Sequence, residues 1–132
     1  MFLLFCIFLN LKYNKERGDK METYNMLIDL LKKYFKNRNI KDIFCYGGCF
    51  YFASKIKENI PNTSIWWNRK LMHCAIYFED NNGLYDITGR INKNGFVKAN
   101  EKDLLYMQKH FKPNFDEKQL DIYIQQNSHY NL

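Results

Sequence analysis

Apolar residues recur at three- and four-residue intervals after Thr23, which is the spacing of an amphipathic helix. The residues on this stripe are Met26, Leu27, Leu30, Leu31, Tyr34 and Phe35. Residues 37–39 are polar and end the helix, and residues 40–46 lead from it to a turn made of two glycines. The pattern predicts a first helix that packs one side against a core.

A second helix is predicted over about residues 49–59, directly after Gly47 and Gly48. Glycine permits positive φ and a close approach of the backbone, which suits the start of such a helix. Pro61 stops the helix. The apolar residues that share its buried side are Phe52, Ala53, Ile56 and Ile60.

Segments rich in β-branched and aromatic residues predict a small antiparallel sheet further along the chain. Residues 64–67 and 73–78 are the first two strands, and residues 80–83 are a strong turn signal. Residues 84–88 complete a hairpin, and residues 96–98 form a short later strand. We therefore expect these strands to form one small antiparallel sheet.

The remaining sequence predicts C-terminal helices over about residues 101–111 and 116–126. The predicted fold is α+β, with N-terminal helices packed on a small antiparallel sheet and helices at the C-terminus. The chain has 132 residues, 46% of them hydrophobic, which suits one domain with one core. We assign this domain to residues 21–132.

The first 20 residues form an apolar leader that we treat separately from the domain. Its apolar run, residues 1–9, is far shorter than the roughly 20 residues that span a bilayer. It also lacks a basic start and a small-residue cleavage site. Codons for residues 17–20 can form a purine-rich ribosome-binding site, so our hypothesis is that Met21 is the true start. A membrane association is expected only if residues 1–11 are retained.

Charge and cysteine content narrow the classes of function. The net charge is +6, but the basic residues are scattered and no nucleic-acid motif is present, so a nucleic-acid partner is unsupported. The four cysteines lack the regular spacing of a disulfide framework, which favours reduced thiols and a cytoplasmic location. Abundant Lys, Asn and Ile indicate AT-rich codons and a bacterial or mobile-element source. For a phage protein, the location is the host cytosol.

The most informative chemical feature is Cys49, at the predicted first turn of the second helix. Unpaired N–H groups and the positive end of the helix dipole favour a thiolate there, and they can later hold an oxyanion. His73 and Asp86 follow on strand-like segments. These three residues supply a nucleophile, a base and a group that orients the base.

Residues 46–90 resemble the core of papain-like, transglutaminase-like cysteine enzymes. The resemblance lies in residues 47–53, 71–75 and 84–89, which contain the three candidate catalytic residues. It implies cysteine on a helix, and histidine and acid on neighbouring strands. It also implies acyl transfer through a thioester: hydrolysis of peptide or isopeptide bonds, deamidation or cross-linking, on a protein or peptide substrate and without a cofactor.

The candidate oxyanion and substrate cleft surrounds Cys49. Gly48 and the Cys49 backbone N–H are the nearest elements of an oxyanion site, and Tyr46 is a candidate second donor, since a papain-type glutamine is missing. Trp66 and Trp67 are expected to alternate across a strand, where either indole lines a groove or packs in the core.

The predicted hairpin allows two registers for His73 and Asp86. A turn at Asn81 and Asn82 leaves them four positions out of register, too far for a direct hydrogen bond at about 3.3 Å per residue. A turn at Asp80 and Asn81 reduces the offset to two, within diagonal reach.

Three other interpretations remain open. Cys49 can be a packing residue, since free cysteine is often buried. Zinc binding by Cys45, Cys49, His73 and Cys74 fits usual structural spacing poorly, so we assign no metal. The alternative to an enzyme is a small basic inhibitor or binding protein of a phage or mobile element, of the anti-defence type.

Overall fold

A five-stranded antiparallel sheet organises the computed structural model, which describes residues 20–128. The strands in chain order are β1 (Thr63–Asn68), β2 (His73–Phe78), β3 (Gly83–Asp86), β4 (Gly89–Ile91) and β5 (Val97–Lys98). They lie in the order β4-β3-β2-β1-β5. The central strand β2 therefore carries His73 at its first position.

Helices flank this sheet in the described part of the chain. They are α1 (Lys20–Tyr34), α2 (Ile40–Cys45), α3 (Cys49–Asn59), α4 (Glu101–His110) and α5 (Glu117–Ser128). Helix α3 packs on β1, β2 and β3, and α1 contacts α5. The predicted α+β class, with helices and a small antiparallel sheet, is confirmed.

Aromatic side chains join α1, α3 and the sheet into one core. The Tyr24 ring of α1 makes edge contacts with Phe52 of α3 and with Phe78 and Tyr85 of the sheet. Full burial of a large apolar side chain stabilises the fold by about 1.5–3 kcal/mol. The largest fully buried side chains include Trp67, Phe44, Phe52, Phe78 and Leu31. The core thus lies directly beneath the helix that begins at Cys49.

Two glycines fix the start of α3 because no side chain fits there. Gly47 has φ +83°, and a Cβ on it would lie 2.5 Å from the Lys112 carbonyl oxygen. A Cβ on Gly48 would lie 2.4 Å from the Ile43 carbonyl oxygen. Such contacts are far inside van der Waals distance. The backbone of α2 and the segment after α4 therefore hold the first turn of α3 in place.

Two elements were missed by the sequence patterns. Helix α2 has six residues, too few for a periodic stripe, and its N-cap is Asn39, whose side chain accepts from the Lys41 N–H. Strand β4 has three residues and follows β3 after a two-residue turn. The predicted bounds of α3 and β2 are confirmed. The other predicted elements are present with ends shifted by a few residues.

The predicted leader falls, apart from Lys20, outside the described residues. Its assignment and the Met21 start therefore stay predictions. Within residues 20–128, no helix is both long and apolar enough to cross a bilayer.

Candidate active site

The His73 imidazole pairs directly with the Asp86 carboxylate. Nε2 of His73 lies 2.9 Å from Oδ2 of Asp86, and these side chains are 14% and 8% exposed. The hairpin has the register of a turn centred on Asp80 and Asn81, and continuing it places Thr88 opposite His73. The paired positions are Ile76 with Tyr85, Tyr77 with Leu84 and Phe78 with Gly83. The remaining offset of two positions is bridged by the side chains.

The second carboxylate oxygen of Asp86 binds the turn between β3 and β4. Oδ1 accepts hydrogen bonds from the Thr88 N–H at 2.8 Å and from the Thr88 hydroxyl at 2.5 Å. The Tyr24 hydroxyl donates to the Asp86 backbone carbonyl. Burial raises the pKa of Asp86, but the bonds from His73 and Thr88 outweigh it and lower the pKa. Asp86 therefore closes the β3–β4 turn with one oxygen and holds the imidazole with the other.

Electrostatics at this site favour a charged thiolate on Cys49. A hydrogen bond from the Cys74 thiol is the largest cause that lowers the pKa of Cys49; burial opposes it, and His73 adds to it, so that the pKa falls to about 5. Burial lowers the pKa of His73, but Asp86 and Cys49 outweigh it and raise the pKa to about 9. Between these values the pair is a thiolate and an imidazolium.

The ring nitrogens of His73 have different surroundings. Asp86 occupies Nε2. Nδ1 is buried and makes no hydrogen bond within the described part of the chain, so it is the nitrogen left for Cys49. The edge of the Phe96 ring packs against the imidazole, with ring centroids 6.1 Å apart. The imidazole thus lies between the Asp86 carboxylate and the Cys49 thiol.

Cys74 is a site residue that the sequence analysis assigned only to a rejected zinc site. Its thiol and its backbone N–H both lower the pKa of Cys49, the thiol most strongly. Burial and the neighbouring Cys49 raise the pKa of Cys74 well above its ordinary value, so that it stays a donor. Its place directly after His73 is the one sequence signal that marks it. Cys45, Cys49 and Cys74 are all free thiols.

The predicted cleft residues lie at different depths. Gly48 is the N-cap of α3, and Tyr46, at the end of α2, is 74% exposed. Trp66 is half-buried and stacks on Tyr77, with centroids 4.5 Å apart. Trp67 is 2% exposed, and its Nε1 makes no hydrogen bond among residues 20–128. Tyr46 therefore belongs to the rim, whereas Trp67 offers a buried donor.

Access to Cys49 is narrow, since the residue is 2% exposed. Two surface clefts lie elsewhere, along the outer side of α3, and both include Phe50 and Ser54 but none of the three predicted catalytic residues. The half-buried His73 is the more open side of the site.

These observations define a small α+β domain with a helix-borne cysteine beside a strand-borne histidine–aspartate pair. Residues 27–125 match the family model described as Phage YunG-like protein, and the chain belongs to that family. The matched region contains Cys49, His73 and Asp86. Neither the curated proteins nor the solved structures include a significant match to the chain.

Proposed function

We propose that this domain is a cysteine-dependent acyl-transfer enzyme, a protease, deamidase or transglutaminase-like protein of the papain-like kind. The observation that carries the proposal is the position of His73, between the Asp86 carboxylate and the Cys49 thiol. A mere packing cysteine would be expected to have a pKa raised by burial, whereas that of Cys49 falls to about 5.

The reaction begins with attack of the Cys49 thiolate on the acyl carbon of a protein or peptide substrate. A carbon–sulfur bond forms, and the carbonyl electrons move to oxygen to give an oxyanion. The oxyanion then collapses to a carbonyl and the carbon–nitrogen bond breaks while the protonated His73 donates its proton to the leaving amine, so that a thioester remains on Cys49. Water or an amine attacks the thioester with neutral His73 taking its proton, and the carbon–sulfur bond breaks to return Cys49 as a thiolate beside the imidazolium. Asp86 stabilises the imidazolium throughout.

The oxyanion requires donors at the start of α3. The Cys49 N–H opens this helix, where backbone N–H groups lack a partner within the helix. Trp67 is paired with Cys74 across β1 and β2, and cross-strand partners point to the same side of a sheet. Because the Cys74 thiol contacts Cys49, we assign the unpaired Nε1 of Trp67 as the second donor.

Exposed apolar side chains next to the site give the substrate a surface to bind. Tyr46 precedes the glycine turn, and Leu71 and Met72 precede His73. Arg69 and Lys70 are exposed in the same loop. A protein segment that combines apolar and acidic residues complements this surface.

A second candidate function is a non-enzymatic inhibitor or binding protein. It is favoured by membership of a phage-associated family and by the same exposed apolar side chains. The two candidate functions predict different results for one substitution, Cys49→Ala. An enzyme loses its effect on its host with Cys49→Ala, whereas a binder keeps it; Cys45→Ser serves as the control thiol variant.

The direct test is the pH dependence of Cys49 alkylation by iodoacetamide, followed by mass spectrometry, in the wild type and His73→Ala. Cys45 and Cys74 are internal controls. We expect selective labelling of Cys49 below about pH 7 that His73→Ala greatly slows. Labelling of Cys49 no faster than of Cys45 would exclude an activated nucleophile and leave the binding protein as the function.

A further inference from the structure

A further thiol lies beside the His73–Asp86 pair and takes no part in the proposed chemistry. The Cys45 Sγ, a ring nitrogen of His73 and a carboxylate oxygen of Asp86 all lie within 4.8 Å of one another. Cys45 is the last residue of α2, His73 the first of β2 and Asp86 the last of β3. Three elements therefore converge on one point.

We propose that Cys45, His73 and Asp86 form a binding site for a divalent transition-metal ion, with Zn²⁺ as the preferred ion. We further propose that the bound ion switches the enzyme off, because it removes His73 as the base for the reaction at Cys49. The switching part rests on the proposed function, and the binding part does not. The set differs from the four residues considered from sequence spacing, because Asp86 replaces Cys49 and Cys74.

The donor atoms are the sulfur, nitrogen and oxygen types that Zn²⁺ takes in proteins. A tetrahedral site with Zn–S of about 2.3 Å and Zn–N or Zn–O of about 2.0–2.1 Å has ligand atoms roughly 3.4–3.6 Å apart. The nitrogen–oxygen distance of 2.9 Å must therefore open slightly, and the sulfur can close from within 4.8 Å by side-chain rotation. Mg²⁺ and Ca²⁺ prefer all-oxygen sites and fit this set poorly.

The surroundings of the three side chains suit a reversible site. Thr88 holds Oδ1 of Asp86 through two hydrogen bonds, the kind of support that fixes a metal-ligating carboxylate. Cys45 and His73 are half-buried, so an ion can enter from solvent. Three protein ligands leave a fourth position for water. A metal on His73 takes the lone pair of a ring nitrogen, so the imidazole can no longer accept and return a proton in the proposed reaction, while the charge of the ion takes the place of the imidazolium charge.

Binding is tested with Co²⁺, whose bond to a thiolate gives a near-ultraviolet charge-transfer band, on the metal-free protein. We expect the band in the wild type and in Cys49→Ala, and its loss in Cys45→Ala and Cys45→Ser. Two different substitutions of Cys45 are used so that a folding defect in one variant does not decide the result. Absence of the band from the wild type, or its loss in Cys49→Ala alone, would overturn the site.

Switching is tested by adding Zn²⁺ to the steady-state turnover of p-nitrophenyl acetate, in which water must attack the thioester with His73 as the base. We expect Zn²⁺ to slow this turnover in the wild type and to leave Cys45→Ser unaffected. Equal slowing in both proteins would show that the ion acts without Cys45 and overturn the switch. The Co²⁺ band is measured in Cys49→Ala, which lacks the proposed nucleophile, so it reports metal binding alone. The rate of Cys49 alkylation without metal reports the proposed enzyme, so the two proposals can fail separately.

Discussion

The His73 Nε2 atom lies 2.9 Å from Oδ2 of Asp86, and the other oxygen of that carboxylate accepts two hydrogen bonds from Thr88. The same side chain thus closes a turn and orients the imidazole. A structural and a chemical interpretation of Asp86 are compatible, because a carboxylate has two oxygens with separate partners. Variants at this position must separate the two tasks.

Replacing Asp86 should lower the pKa of His73. In Asp86→Ala the raising contribution of the carboxylate is lost while burial still lowers the pKa, so we expect it to fall from about 9 towards its ordinary value of 6.5. The Thr88 N–H also loses its acceptor, which costs about 1–3 kcal/mol of unfolding free energy. NMR titration of the His73 ring and urea unfolding measure the two effects.

Asp86→Asn is the matched control, because its amide oxygen can still accept from Thr88. We expect its unfolding free energy to stay closer to that of the wild type, while the pKa of His73 falls as in Asp86→Ala. A His73 pKa that stays near 9 in both variants would contradict the pairing as its cause.

Removing the Cys74 thiol should make Cys49 a weaker acid. The bond from this thiol is the largest cause that lowers the pKa of Cys49 to about 5, so Cys74→Ala should raise that pKa towards the ordinary value of 9.0. The protonated form is unreactive, so the rise in alkylation rate moves to higher pH. Cys74→Ser keeps a donor and should shift the profile less. Profiles of both variants that match that of the wild type would contradict a role for Cys74 at the site.

Trp67→Phe should separate acyl transfer from alkylation. It keeps an aromatic ring and removes the Nε1 donor, and losing one oxyanion donor costs about 10²–10³-fold in turnover. Alkylation forms no oxyanion, so its rate should be unchanged. The burst of p-nitrophenol released from p-nitrophenyl acetate measures the first reaction. Trp66→Phe, on the other side of β1, is the control; equal losses in the two variants would argue against Trp67 as a donor.

Gly47→Ala should destabilise the domain more than Gly95→Ala. Both glycines have φ +83°, so both substitutions add a similar backbone strain of roughly 1–2 kcal/mol. The new Cβ at position 47 meets a backbone oxygen of Lys112 at 2.5 Å, whereas at position 95 it meets the movable Asn68 side chain at 2.8 Å. Urea unfolding of the two variants gives the difference. Equal losses would show that the crowding at Gly47 relaxes easily.

Sequence patterns predicted the elements that carry the site better than the contacts between them. Helix α3 and strand β2 have clear limits, set by glycines and Pro61 in one case and by an apolar, aromatic run in the other. The turn residues 80–83 are compatible with two hairpin registers, so sequence could not decide whether His73 reaches Asp86. The structure has the register of a turn at Asp80 and Asn81, in which His73 and Asp86 are two positions out of register.

The roles of Cys74 and Cys45 depend on tertiary contacts that no local pattern encodes. Cys74 lies on the central strand, and only the docking of α3 on the sheet brings it to Cys49. Cys45 approaches His73 because α2 forms, and that helix of six residues is too short to leave a periodic signal. Both thiols were visible in sequence only as candidate zinc ligands.

The hydrogen bond from the Tyr24 hydroxyl to the Asp86 carbonyl joins positions 62 residues apart. The strand end that carries the acid is thus tied to the first described helix. During synthesis, α1 emerges early and β3 much later, so this tie can form only when most of the domain exists. We expect a partly folded chain to contain a cysteine without an oriented base, and thiol reactivity to arise together with completed folding.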